Sequence, residues 1–183
     1  HHKSREMAEA LDLLIAAGVV IKAYNTSANG LPLGAERKGN FFKCFFIDVG
    51  LMQCLLGQPL SQVRLKAVNE GKVAEQFVAQ ELQSLTPSNH TPELYYWARE
   101  SRSSQAEVDF VVNSQGAIVP IEVKAGKDRS SKSLLVFAKE KLPSRMIRLC
   151  LDGFSQQGAI EIAPLFCALP EFLDRALNLY EES

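Results

Sequence analysis

Apolar and polar residues follow two different spacings along the chain, and the changes between them predict the order of its elements. Helical spacing marks an amphipathic helix in the middle of the chain, whereas short β-branched runs bounded by turn residues indicate strands. The predicted elements are a helix at about 69–85, strands at about 94–99, 107–112 and 118–124, a helix at 131–142 and a strand at 145–151. The pattern therefore predicts an α/β fold with the order α-β-β-β-α-β.

The first part of the chain shows a different pattern. A helix at about 5–17, a strand at 19–24, a Gly- and Asn-rich loop and a strand at 41–47 resemble part of a winged helix. Basic residues would lie on its wing, where they would contact DNA or a neighbouring domain: Lys22, Arg37, Lys38 and Lys43. We therefore predict a winged-helix-like N-terminal segment at 1–65 and an α/β domain at 66–183.

Two of the predicted strands carry charges that buried strands ordinarily lack. The segments 107–112 and 118–124 are joined by the turn-like stretch 113–116, which predicts a β-hairpin. Asp109 lies in the first strand, and Glu122 and Lys124 lie in the second. Because a buried charge needs a partner or a metal ion, these residues are candidates for a functional site.

Strand alternation predicts which of these side chains share a face. Glu122 and Lys124 would project to one side and the apolar residues between them to the other. A turn centred between Ser114 and Gln115 would pair residues whose numbers sum to 229. Asp109 would then lie opposite Pro120 and diagonal to Glu122, so that the charged groups share one face.

Two neighbouring carboxylates with a lysine beside them suit a hard divalent cation such as Mg²⁺, for which Mn²⁺ can substitute. Asp109 and Glu122 would hold the metal, and Lys124 would assist an attacking water or stabilise a phosphate. Glu75, at the edge of the apolar arc of the 69–85 helix, is a third metal ligand candidate, and Glu81 on the same helix is the competing choice. The alternative is an ordinary ion-pair network, with Lys124, Arg99 or Arg102 as the basic partners.

The spacing of Asp109 and Glu122-x-Lys124 resembles the PD-(D/E)XK nuclease signature, although Val108 stands where that signature has proline. The segments 43–51, 70–75 and 95–97 add a wider resemblance to the uncharacterised C-terminal domain of prokaryotic AAA-superfamily ATPases. This resemblance implies a restriction-endonuclease-like core, a central mixed β-sheet flanked by helices. It also implies a metal-dependent nuclease with Asp109, Glu122 and Lys124 as catalytic residues, and an ATPase domain upstream.

Composition limits the partners and the location. A net charge of −1 argues against a uniformly cationic nucleic-acid-binding surface, so DNA would be contacted by a local patch after the second hairpin strand, Lys127, Arg129 and Lys132. No signal segment or membrane-spanning run is recognisable, which predicts a cytoplasmic location. No phosphate-binding loop is present, so ATP would bind only in the missing upstream domain. The alternative function is a catalytically inactive module that binds protein or DNA for the ATPase.

Overall fold

The computed structural model describes residues 2–57, 70–84, 93–99, 106–126 and 130–168. The described helices are α1 (His2–Ala16), α2 (Val49–Leu55), α3 (Glu70–Ser84) and α4 (Lys132–Lys141). The described strands are β1 (Val20–Thr26), β2 (Arg37–Phe46), β3 (Leu94–Ala98), β4 (Glu107–Val108), β5 (Phe110–Ser114), β6 (Ala117–Lys124), β7 (Met146–Cys150), β8 (Ser155–Gln157) and β9 (Ile160–Pro164). Short 3₁₀ helices lie at Leu33–Glu36 and Leu165–Ala168.

From α3 to β7 the predicted element order is confirmed except that the strand predicted at 107–112 is two strands, β4 and β5, separated by Asp109. The fold is a mixed α/β fold. Each predicted helix and strand in this region ends within a residue or two of its observed bounds. The prediction missed β8 and β9, because both are short and β9 has a glutamate inside it and a proline at its end. The sequence also predicts a final helix or helix pair at 164–180, divided near Pro170. Residues Leu165–Ala168 form the second 3₁₀ helix, and the rest of this segment lies outside the described residues.

The described strands form two mixed sheets rather than the single central sheet that was predicted. One sheet has the order β2-β1-β3-β4, and the other has the order β5-β6-β7-β9-β8. In the second sheet β6, β7 and β9 are parallel, whereas β5 and β8 are antiparallel edge strands. The sheets meet at Asp109, the one residue that separates β4 from β5. A backbone bend at this residue therefore passes the chain from one sheet to the other.

The N-terminal strands extend a sheet instead of forming a separate wing. β1 pairs antiparallel with β2 and parallel with β3, so that Tyr24 lies opposite Tyr95. This differs from the winged-helix-like appendage predicted at 1–65. The boundary at residues 65 and 66 lies outside the described residues and stays a prediction, but strands on either side of it share one sheet.

Helical spacing predicts that the polar side of α3, with Lys72, Gln76, Gln80 and Gln83, faces water. Two of these residues instead bind α3 to the N-terminal elements. The Gln76 side chain accepts a hydrogen bond from the Phe46 N–H at 2.9 Å and donates one to the Phe46 carbonyl at 2.6 Å. One turn later Gln80 accepts from the Val49 N–H at 3.1 Å. Gln76 is buried as a result, so its predicted place on a solvent-exposed face was wrong.

Apolar side chains form two buried clusters. In the first, α3 contributes Val78 and Leu82, which pack with Phe110, Ile121 and Leu149 of the second sheet. The second cluster contains α4, and its Phe137 meets Trp97 of β3 edge to face with ring centroids 5.2 Å apart. The β5–β6 hairpin therefore contributes to both clusters, one with α3 and the other with α4.

The hairpin register differs by two from the prediction. Phe110 pairs with Ile121 and Ser114 pairs with Ala117, so the paired numbers sum to 231. The two turn residues, Gln115 and Gly116, both have positive φ, 49° and 82°. A two-residue turn of that kind matches the twist of a hairpin and sets its register. A shift of two residues preserves the faces, so the predicted grouping of Glu122 with Lys124 is retained.

No helix in the described part of the chain is both long enough and apolar enough to cross a membrane. The cytoplasmic location stays a prediction.

Candidate metal centre

Asp109 lies at the bend between the two sheets, and its carboxylate accepts a hydrogen bond from the backbone of β6. The Val123 N–H donates to Asp109 Oδ2 at 2.8 Å. This bond ties the Asp109 side chain to β6, one residue from both Glu122 and Lys124. The structure therefore brings the three predicted catalytic residues to the same end of the hairpin.

Glu122 is the most deeply buried of these acids, with 4% of its side chain exposed. Its Oε1 lies 2.9 Å from Lys124 Nζ, and 28% of the Lys124 side chain is exposed. Its Oε2 is buried and has no hydrogen-bond partner among the described residues. Buried polar atoms are nearly always satisfied, so a bound water or ion would complete the hydrogen bonding or coordination of this oxygen.

Burial and the neighbouring charges shift the pKa of Asp109. Burial raises the pKa of Asp109, and the negative charges of Glu75 and Glu122 raise it further. The Val123 N–H and the positive charge of Lys43 oppose this rise, and the resulting pKa is about 6 instead of the ordinary 3.8. The ionised form of the Asp109 carboxyl is therefore disfavoured, chiefly by burial, and a bound cation would favour that form.

Glu75 is the candidate helix acid that approaches this region. Its charge acts on Asp109, whereas Glu81, the other candidate, is not among the groups that dominate the Asp109 pKa. Glu75 is buried and paired twice: Oε1 lies 2.8 Å from Lys43 Nζ, and Oε2 lies 2.9 Å from Lys72 Nζ. Burial acts to raise the pKa of Glu75, but the two lysines outweigh it and hold the pKa below its ordinary value.

Lys43 is the site residue that sequence reasoning misplaced. It was expected on an exposed wing, yet only 19% of its side chain is exposed, and its Nζ also lies 2.6 Å from Glu107 Oε1. Burial acts to lower the pKa of Lys43, but Glu75 and Glu107 outweigh it and raise the pKa above its ordinary value. A charged residue inside the aromatic run 41–46 is the signal that could have located it.

Arg148 is a second residue that the prediction did not include. It lies beside Glu122 in the parallel pairing of β6 with β7, and it is buried. Its Nη1 donates to Ser131 Oγ and to Gln157 Oε1, each at 3.0 Å. Arg148 also lines an open pocket of about 560 Å³ next to the loop that follows β7. A buried guanidinium thus borders the site on the side away from Asp109.

The predicted DNA-contacting cations are only partly placed. Lys127 and Arg129 lie outside the described residues. Lys132 is the first residue of α4, and it is exposed.

Within the described ranges, no three His, Cys, Asp or Glu side chains are arranged so that they could jointly hold a metal ion as they stand. Glu75 is paired at both of its carboxylate oxygens, with Lys43 and with Lys72. Asp109 and Glu122 nevertheless fit a divalent cation in chemistry, since they offer carboxylate oxygens, one of them buried and unsatisfied. Mg²⁺ commonly takes one or two protein carboxylates and keeps several waters, so two such ligands are sufficient.

The protein can also be compared with known families. A family model described as "Domain of unknown function (DUF4143)" matches residues 70–165, more than half of the chain. The matched segment includes α3, the hairpin and α4, and therefore every acid of the candidate centre. This domain is commonly found in AAA-ATPase proteins. No curated protein and no solved structure matches the chain. The chain belongs to the DUF4143 family.

Proposed function

We propose that this domain is a metal-dependent nuclease of the PD-(D/E)XK type, with a restriction-endonuclease-like core. The observation that carries the proposal is the buried, unsatisfied Glu122 Oε2 beside Asp109, whose pKa is raised to about 6 by burial and neighbouring carboxylates. The order of the described elements, which is α-β-β-β-α-β when β4 and β5 are counted as one strand bent at Asp109, and the Asp109…Glu122-x-Lys124 arrangement support the same assignment.

Asp109 and Glu122 would hold Mg²⁺, and Glu75 would face it from α3. A divalent cation bound there supplies an activated water and offsets charge on the phosphate under attack. The hydrogen bond from the Val123 N–H orients the Asp109 carboxylate, which extends from the junction of the two sheets towards β6. Glu122 is held by Lys124 at one oxygen and presents the other.

Lys124 would act on the reacting groups. Its Nζ is anchored at 2.9 Å from Glu122 Oε1, yet part of the side chain is open to solvent. An ammonium held in this way can donate a hydrogen bond to the attacking water or to a phosphate oxygen. A neutral side chain at this position would lack both contacts.

DNA is the proposed substrate, and its backbone would follow the basic residues that come after β6. Lys132 at the start of α4 is exposed, and Lys127 and Arg129 precede it in the sequence. A local patch of this kind is compatible with a net charge of −1. This domain is commonly found in AAA-ATPase proteins, so the ATPase domain of such a protein is the proposed partner, and ATP would bind there.

The experiment is a cleavage assay with labelled single- and double-stranded DNA and RNA in Mg²⁺, in Mn²⁺ and in EDTA. We expect cleavage that needs the metal, and a loss of about a hundredfold or more in Lys124→Ala, because an electrostatic group at the reacting centre is removed. Lys139→Ala, in the last turn of α4, is the control and should cleave like the wild type. Absence of cleavage in every metal, on all four substrates, would contradict the proposal.

A non-catalytic binding module is the second candidate. The ion pairs of Glu75 with Lys43 and Lys72 and of Glu122 with Lys124 favour it, because they balance these carboxylates without a metal. In that case the chain would bind neither Mn²⁺ nor Mg²⁺, and its stability would not respond to either ion.

The affinity for Mn²⁺ is expected to fall as the pH is lowered through the pKa of Asp109. The metal binds the ionised carboxylate, and the pKa of about 6 means that most Asp109 side chains are protonated at about pH 5. The dissociation constant should therefore be roughly tenfold weaker at about pH 5 than at about pH 7. Calorimetric titration at both pH values measures this, and an affinity that does not change across the window would contradict it.

A further inference from the structure

Lys43 reaches the candidate centre from the N-terminal sheet. It lies on β2, opposite Ala23 of β1. Its ammonium is 2.8 Å from Glu75 Oε1, 2.6 Å from Glu107 Oε1 and 4.9 Å from the centroid of the Tyr96 ring. A single cation is thus surrounded by two carboxylates and the face of an aromatic ring.

The other lysine bound to Glu75 has a different character. Lys72 is one turn away on the same helix, and 76% of its side chain is exposed, against 19% for Lys43. Water and salt screen the charge of the exposed Lys72 more than that of Lys43, although the Glu75 carboxylate in both pairs is buried. Lys43 is therefore the partner that balances Glu75 within the partly buried site.

Lys43 also divides the carboxylates of this region into two groups. Four carboxylates belong to this region: Glu75, Glu107, Asp109 and Glu122. Two of them are held by Lys43, which leaves Asp109 and Glu122 as the pair with a buried oxygen still unsatisfied.

We infer that the Lys43 ammonium takes the place of a second metal ion, so that the centre binds a single divalent cation, at Asp109 and Glu122. This inference depends on the proposed metal-dependent function and specifies its metal stoichiometry. Glu75 Oε1 and Glu107 Oε1 lie 2.8 Å and 2.6 Å from the same nitrogen, so a cation at the position of that nitrogen would face both carboxylates. The carboxylates that Lys43 holds would therefore form a second cation site if its charge were removed.

Lys43→Gln is the variant that tests this, since it keeps a polar side chain of similar length and removes the charge. We expect calorimetric titration with Mn²⁺ to give one bound ion for the wild-type 183-residue chain and two for Lys43→Gln. Lys43→Arg, which keeps the charge, should bind one ion. Lys72→Gln is the matched control, because it removes the other lysine that contacts Glu75, and it should also bind one ion.

Thermal unfolding supplies a second readout. In EDTA, Lys43→Gln should unfold at a lower temperature than the wild type, because Glu75 and Glu107 lose their shared cation. Mn²⁺ should restore most of the difference, and it should raise the midpoint more in this variant than in Lys72→Gln. If Lys43→Gln is unfolded in EDTA, folding on addition of Mn²⁺ supports the inference, and failure to fold with Mn²⁺ overturns it.

The outcomes separate this inference from the function on which it depends. Two ions bound to the wild type, or one ion bound to a folded Lys43→Gln, would overturn the role of Lys43 and leave a metal-dependent nuclease intact. No ion bound to the wild type would instead remove the metal centre itself, and the inference with it.

Discussion

Glu122→Gln is expected to abolish Mn²⁺ binding and to lower metal-dependent cleavage by at least about a thousandfold. The substitution keeps the shape of the side chain but removes the charge of one of the two proposed metal ligands. It also places an amide where Glu122 Oε2 is buried without a partner in the described structure. Loss of a ligand charge in a buried site, where water screens poorly, is compatible with a barrier increase of about 4 kcal/mol.

Calorimetry with Mn²⁺ and cleavage rates under single-turnover conditions measure this effect. Glu161→Gln is the matched control, because Glu161 lies in the same sheet but pairs with Arg145 at 2.9 Å, away from the proposed centre. It should bind Mn²⁺ and cleave as the wild type does. A Glu122→Gln protein that retained both properties would show that this carboxylate does not hold the metal.

Asp109→Asn should make the metal-free protein more stable at neutral pH while removing its activity. The raised pKa means that the ionised carboxylate is unfavourable in the folded state. A rise from 3.8 to about 6, at about 1.4 kcal/mol per pKa unit, corresponds to about 2–3 kcal/mol at most. The asparagine carbonyl can still accept the Val123 N–H, so the hydrogen bond at the bend need not be lost.

The sign of the pH dependence follows from the raised pKa. The ionised Asp109 carboxylate destabilises the folded state by its full amount above about pH 7. This destabilisation declines as the pH falls through about 6, and it disappears below the pKa of the unfolded chain, near 3.8. The melting temperature of Asp109→Asn in EDTA should therefore exceed that of the wild type by roughly 4–10 °C at neutral pH and by progressively less towards about pH 4.

Two comparisons complete this measurement. Asp12→Asn, which removes an exposed carboxylate paired with Lys22 at 3.3 Å, should change the midpoint little at any pH. Saturating Mn²⁺ should stabilise the wild type and leave Asp109→Asn unchanged. Equal or lower stability of Asp109→Asn at neutral pH would show that the charge of Asp109 is already compensated in the fold.

The hairpin and its acids could be predicted because their signal is local. A charge inside a β-branched run conflicts with burial wherever the strand lies, and alternation then groups Glu122 with Lys124. The register was wrong by two because it depends on the positive φ of Gln115 and Gly116, which the composition of the turn did not specify. The error did not change the faces, since two residues are one full period of a strand.

Lys43 could not be placed because its position depends on pairing between distant segments. The same charge-in-a-strand signal was present, but only the parallel pairing of β1 with β3 brings β2 near the hairpin. Gln76 shows the same limit, because helical periodicity identifies an arc of polar residues and not the elements that approach it. The bend at Asp109, which divides one predicted sheet into two, likewise depends on contacts far apart in the sequence.

The pairing of Gln76 with Phe46 has a consequence for self-association. β2 is an edge strand, and such strands can recruit a strand from another molecule and initiate aggregation. The Gln76 amide accepts a hydrogen bond from the Phe46 N–H and donates one to the Phe46 carbonyl, as a residue of an adjoining strand would. The Gln76 side chain therefore prevents a strand of another molecule from pairing with the end of β2. A substitution of Gln76 would leave these backbone groups free to pair with such a strand, without altering the residues of the metal centre.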